Sequence, residues 1–226
     1  MKTKMNRFII YSCLLIFAFA VWTLLIQTVD VQPIGVNRTD IGFAKLNTMF
    51  HSLVGVNMAL YTVTDWLEII PVFVCMIFGV SGLAQALKRK SLIKVDADII
   101  VLGLYYVIVI IFYLIFEVYP INYRPILINS FMEASYPSST SLLVLSVMPT
   151  LVFQTKRRMK SNIIKIVISI FSILLSVFMV VGRIISGVHW ITDIVGSILL
   201  SEGLFFGYKA VVLMLDRNNG RTTDGI

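Results

Sequence analysis

Charge is scarce in this sequence. Only 14% of its 226 residues are Asp, Glu, Lys or Arg, while 58% are hydrophobic, and the mean hydropathy is +0.90. A soluble domain cannot bury that much apolar surface, so the composition excludes a soluble protein and requires an integral membrane one. Cysteine is nearly absent: Cys13 and Cys75 each lie inside apolar runs and read as small hydrophobes, not as a disulfide. Histidine is equally rare. His51 and His189 are too few for a dedicated metal cage, and no cofactor is implied. Nor does any internal repeat or low-complexity segment interrupt the chain. The net charge of +7 would suggest a nucleic-acid partner only if it gathered on one exposed face. It is instead spread in short groups between apolar runs, which excludes that class.

The chain consists mainly of long hydrophobic stretches. Six of them can span a bilayer of roughly 30 Å, at 8–27, 66–87, 99–118, 140–154, 163–181 and 191–215. The expected fold is therefore an all-α integral membrane protein, a six-transmembrane-helix bundle. The fourth span is short and contains Pro149, where a kink is expected. Between the first two spans, residues 41–53 have the pattern of an amphipathic helix lying on the outer surface, with His51 as an interfacial residue. Residues 1–215 form a single domain and 216–226 a polar cytoplasmic tail. The first span could instead be a signal peptide cleaved after Ala18-Phe-Ala20, but the apolar run continues past that point.

Basic residues orient this bundle. Lys and Arg gather at the N-terminus, at 88–94, at 156–165 and around the end of the last span. Only Arg38, Lys45, Arg124 and Arg183 fall on the other side. Both termini are then cytoplasmic, and Arg124 and Arg183 face outward at span ends, as expected for a multi-pass protein of a bacterial plasma membrane.

Three clusters concentrate polar chemistry on that outer side. One is Gly182-Arg-Ile-Ile-Ser-Gly-Val-His-Trp-Ile-Thr-Asp193, where His189 and Asp193 are one helical turn apart, so a carboxylate can orient an imidazole. A second runs from Glu117 to Arg124-Pro125. A third, Glu133-Ala-Ser-Tyr-Pro-Ser-Ser-Thr-Ser141, places hydroxyls and free N–H groups at the start of an apolar helix. Taken singly, these are an interfacial ion pair and a well-capped helix. Taken together, two guanidinium groups, a ring of hydroxyls and a carboxylate-backed imidazole describe a site for a phosphate ester.

The same residues resemble the type 2 phosphatidic acid phosphatases, or lipid phosphate phosphatases, which have six membrane helices and three outer-face motifs. Ser-Arg-x5-His-x3-Asp appears as Gly182-Arg183-x5-His189-x3-Asp193. Lys-x6-Arg-Pro keeps Arg124-Pro125 but has Glu117 in place of Lys. Pro-Ser-Gly-His keeps Pro137-Ser138 and then reads Ser139-Thr140. The resemblance covers 117–193 by motif and implies a lipid phosphatase without a metal. His189 would form a phosphohistidine, Asp193 would orient it, and Arg183, Arg124 and Ser138 would hold phosphoryl oxygens, with Ser139 and Thr140 beside them. Thr140 stands where the family has the His that protonates the leaving group, and Thr cannot be a general acid near neutral pH.

Loss of that acid favours a substrate with a good leaving group, so the expected partner is a lipid diphosphate, most of all an isoprenyl (undecaprenyl-type) diphosphate, over phosphatidic acid. Glu117, in an apolar setting, is the candidate substitute acid. Two other readings stay open: a catalytically silent relative that binds a lipid or a partner, and a small transporter. In the last span, Glu202 should face away from the site. Gly203-Leu-Phe-Phe-Gly207 permits close packing, either within the bundle or in a homodimer.

Overall fold

The computed structural model describes residues 2–218. They form eight α-helices: α1 (Lys2–Thr28), α2 (Ala44–Val54), α3 (Met58–Leu67), α4 (Ile69–Arg89), α5 (Ala97–Val118), α6 (Ser139–Arg158), α7 (Asn162–Ile185) and α8 (Ile191–Asn218). The all-α class read from the sequence is what is observed. Among the described residues, five stretches are long and apolar enough to cross a membrane: α1, the α3–α4 run Met58–Arg89, α5, α7 and α8. Their outer faces carry the hydrophobic residues that water would reject. On α7, Ile163, Ile166, Ile170, Leu174 and Val177 are exposed at helical spacing, as a lipid-facing stripe requires.

The remaining expected span, α6, is not apolar enough to join the five. It packs against α4, α5, α7 and α8, and Ser141, Ser146, Thr150, Gln154 and Thr155 are buried there. Neighbouring helices satisfy two of these groups, while the Ser146 hydroxyl is buried without a partner. Tyr106 and Thr150 share a 2.7 Å hydrogen bond and Gln154 donates to the Tyr208 hydroxyl at 2.6 Å. The helix runs unbroken through Pro149, where Tyr105 donates to the carbonyl of Ser146 at 3.0 Å.

Two boundaries differ from those read in the sequence. The second span begins at Met58, because the short helix α3 leads directly into α4 across a junction at Glu68. Asp65 falls in the expected connection and Glu68 just inside the expected span, and both reach Arg183 of the site described below. At the other end, α8 continues through Asp216, whose carboxylate takes two bonds from Arg157, at 2.7 and 3.0 Å. The tail expected from 216 thus starts later, and residues 219–226 lie outside the described residues. Arg157 and Arg158 also reach Asp98, and Arg158 and Arg89 reach Asp96, tying α4, α5, α6 and α8 together at the end of the bundle away from the site.

The small residues of α8 are used within the chain. A side chain at Gly203 or Gly207 would meet Ile16 or Ser12 of α1, and Ser12 donates to the Gly203 carbonyl at 2.8 Å. Glu202 points elsewhere, into a groove shared with Lys156 and Lys209, away from the site as its helical angle requires.

α2 and α3 meet at a corner that rests on the α7–α8 loop. Asn57 N–H donates to the Ser186 carbonyl at 3.0 Å, and His51 Nε2 lies 3.1 Å from the Gly187 carbonyl. Gly187 has φ +65°, and a Cβ there would lie 1.8 Å from the Gly55 carbonyl oxygen. Gly187→Ala is therefore expected to cost at least about 1–3 kcal/mol, read as a lower thermal unfolding temperature in detergent. An unchanged temperature would contradict this close packing.

Candidate active site

The two ends of the α7–α8 loop supply most of the site. Arg183 sits in the last turn of α7 and is 1% exposed. The chain then turns at Gly187 and presents His189 just before α8. Trp190 is the residue preceding that helix, and Asp193 in its first turn accepts the Trp190 N–H at 2.9 Å. This is the carboxylate half of a capping box. The cap fixes Asp193 relative to His189, and both are buried.

The α5–α6 connection folds over them as a small hairpin. Asn129 and Ser130 both have positive φ at a two-residue turn closed by bonds between Ile128 and Phe131, the geometry that suits a tight hairpin. Further along, Arg124 N–H donates to the Glu133 carbonyl at 3.1 Å and Ser135 N–H to the Asn122 carbonyl at 2.9 Å. The pairing sets Asn122 and Arg124 on one arm against Glu133 and Ser135 on the other.

Ser135 is the residue that the sequence reading missed and the geometry makes central. His189 Nδ1 is 3.7 Å from Asp193 Oδ2, too far for a hydrogen bond. Between them, Ser135 Oγ donates to Asp193 Oδ2 at 2.5 Å and lies 3.1 Å from Nδ1. The Ser135 carbonyl is also 3.1 Å from Nδ1, and a carbonyl can only accept, so Nδ1 carries the proton. The lone pair is then on Nε2, which is buried with no hydrogen-bond partner. Asn122 adds a 3.4 Å bond to Asp193.

The two arginines expected to bind phosphate come together around Tyr61. Their guanidinium carbons lie 4.7 Å (Arg183) and 5.7 Å (Arg124) from the ring centre. Neither is free of carboxylates. Arg183 Nη2 donates to Asp65 at 3.0 Å and to Glu68 at 2.9 Å. Arg124 Nε is 3.1 Å from Glu133 Oε2, close enough for an ion pair but off the line of a hydrogen bond. Arg124 Nη1, Arg183 Nε and Arg183 Nη1 are buried without partners. Each unpaired buried donor costs about 1–3 kcal/mol, so the site holds converging donors that an anion would satisfy.

The third motif region supplies the remaining groups. Ser138 is buried just before α6, with its hydroxyl 3.2 Å from that of Ser141, and Ser139 and Thr140 begin the helix. Thr140 Oγ1 donates to Glu68 Oε1. A cavity of about 240 Å³ is lined by Glu117, Arg124, Glu133, Pro137 and Ser139. A second, of about 250 Å³, holds Glu68, Val109, Ile110 and Leu143, and the two share Tyr113, Ser139 and Leu142. Glu117 is exposed in the first cavity, and the ion pair of Arg124 goes to Glu133, not to Glu117. The acids at 65 and 68 were the findable signal, since carboxylates inside an apolar run by default mark a site.

Burial, then the positive charge of Arg124 and of Arg183, hold His189 well below its ordinary titration near 6.5, against a smaller opposing effect of the Ser135 carbonyl. The imidazole is neutral at pH 7, as a nucleophile must be. In the unfolded chain it takes up its proton first as pH falls, so this group leaves stability unchanged above about pH 6.5 and lowers it below. Imidazole NMR in detergent is expected to show a His189 midpoint below 6.5, moved upward by Arg124→Gln. A midpoint at or above 6.5 in the wild type would contradict the geometry.

No functionally curated protein matches the sequence. The fold matches the crystal structure of the first transmembrane PAP2 type phosphatidylglycerolphosphate phosphatase from Bacillus subtilis, with a TM-score of 0.65 over 91% of this chain and 98% of that one, at 18% identity. By sequence, residues 12–217 match the PAP2 superfamily. That match spans the hairpin, both arginines and the His189–Asp193 loop, and the chain belongs to the PAP2 superfamily.

Proposed function

We propose that this protein is a membrane lipid phosphatase that releases phosphate from a lipid phosphate or diphosphate through a phosphohistidine on His189. The observation that carries the reading is the His189 imidazole, with Nδ1–H held by Ser135 and a bare Nε2 in the same site as Arg124 and Arg183. In the first step the Nε2–P bond forms and the P–O bond to the lipid breaks. Positive charge appears on the imidazole and is stabilised by Asp193 through Ser135. Negative charge spreads over the phosphoryl oxygens, which the free guanidinium N–H groups and the first N–H groups of α6 would bind. In the second step water attacks the phosphohistidine, and phosphate and neutral His189 are regained.

The substrate reading follows from Thr140. General acid catalysis typically contributes 10²–10⁴-fold, and a diphosphate needs it least because its leaving group is already a phosphate. An isoprenyl diphosphate is therefore the favoured substrate, and the apolar cavity along Val109 and Ile110 supports a lipid chain beside the polar one. The distribution of Lys and Arg supports a site on the extracytoplasmic face with both termini cytoplasmic. A silent, lipid-binding relative is the second reading, favoured by the carboxylates that already occupy both arginines.

Purified protein in detergent is expected to release phosphate from a polyprenyl diphosphate faster than from phosphatidate. His189→Ala should lower both rates by at least about 10³-fold. Faster turnover of phosphatidate overturns the substrate preference, and phosphate release that survives His189→Ala overturns the mechanism. Absence of release from the wild type favours the silent relative.

A further inference from the structure

We infer that Glu68, at the α3–α4 junction, is the acid that protonates the departing lipid alcohol when the substrate is an alkyl phosphate. The inference rests on the phosphatase reading. It also refines the substrate consequence: the diphosphate leads because its leaving group needs no proton, and the alkyl ester follows only through Glu68.

Four carboxylates stand around the phosphate-binding groups: Asp65, Glu68, Glu117 and Glu133. Their positions separate them. Glu117 and Glu133 line the polar cavity with Arg124. Asp65 touches Arg183, with a side chain 53% exposed. Glu68 alone of the four lines the second, apolar cavity, with Val109, Ile110 and Leu143. A lipid chain lying there would set its ester oxygen on the Glu68 side of the phosphorus. Glu68 Oε1 also touches both Arg183 Nη2 and Thr140 Oγ1, so it occupies a place between two groups that would hold a phosphoryl oxygen. Its side chain is 29% exposed, which leaves a path for exchange of a proton with water.

The proton balance closes on this residue. An arriving phosphoryl group takes over Arg183, and the released carboxyl, now facing a like charge, takes a proton from water or from the phosphate monoanion. As the Nε2–P bond forms and the P–O bond breaks, that proton moves to the ester oxygen and the lipid leaves as an alcohol. The Glu68 carboxylate then removes a proton from the water that attacks the phosphohistidine, and as phosphate departs it gives that proton up to solvent and pairs with Arg183 again, which restores the starting state. Thr140 keeps the carboxyl in place without itself being an acid.

The test compares phosphate release from phosphatidate and from a polyprenyl diphosphate by the full-length protein. In E68Q, release from phosphatidate should fall at least about 10²-fold while release from the diphosphate changes little, so the ratio of the two rates widens. T140H in the E68Q background places an imidazole acid beside the same oxygen and should restore phosphatidate selectively, which a folding defect could not do. E117Q should leave the ratio unchanged. An equal loss on both substrates in E68Q, with no selective recovery in E68Q/T140H, overturns the inference: Glu68 then only holds Arg183. A rate on phosphatidate that is unchanged or raised in E68Q also overturns it, since Glu68 would then merely compete for the phosphate site. H189A keeps the two levels apart: persistence of release in H189A defeats the phosphohistidine reading itself, whatever E68Q does.

Discussion

A guanidinium group buried at the end of a membrane helix must be paired, and the site follows from how this chain meets that requirement. Arg183 is almost wholly enclosed, where an uncompensated charge is costly. Tyr61 offers its ring face, and Asp65 and Glu68 offer oxygens to one nitrogen only. Arg183 Nε and Nη1 are buried without partners. Arg124 is treated alike, with Glu133 nearby but misaligned. Pairing keeps both arginines in position, and its incompleteness leaves them able to bind an anion. The same carboxylates set a threshold, because an anion must bind well enough to displace them.

The scaffold serves that arrangement from both sides. α8 contacts α1, α2, α5, α6 and α7, and its first turn carries Asp193, so the His189 loop is attached to the best-packed helix. The polar helix α6 is accommodated because other helices surround it, and its N-terminus delivers Ser138, Ser139 and Thr140. From their corner, α2 and α3 press on Gly187 through main-chain contacts. His51 belongs to this corner: it contacts the Gly187 carbonyl and lies 5.6 Å from the Trp190 ring, a structural role for the second histidine.

How much could be read in the sequence depended on how local each signal was. Long apolar runs gave α1, α5, α7 and α8, because a span is a property of one continuous stretch. The start of α3 was hidden, since Thr62, Thr64 and Asp65 resemble a loop until their partners are known. Within the site, Arg183, His189 and Asp193 were legible from spacing within a dozen residues. Ser135 was not: its role comes from lying 54 residues from His189 in sequence and within hydrogen-bond reach in space. Glu68 was further out of reach, 115 residues from Arg183. Glu117 drew attention because it replaced a motif lysine, yet it is Glu68 that touches Thr140.

On the proposed mechanism, His189 Nε2 becomes covalently bonded to phosphorus during turnover. Rapid acid-free quenching of the protein with a polyprenyl diphosphate, followed by peptide mass spectrometry under alkaline conditions, tests it directly. The account requires a phosphoryl adduct on the peptide containing His189, labile to acid and absent from His189→Ala. Steady phosphate release with no such adduct at any quench time, or an adduct on another residue, would contradict it.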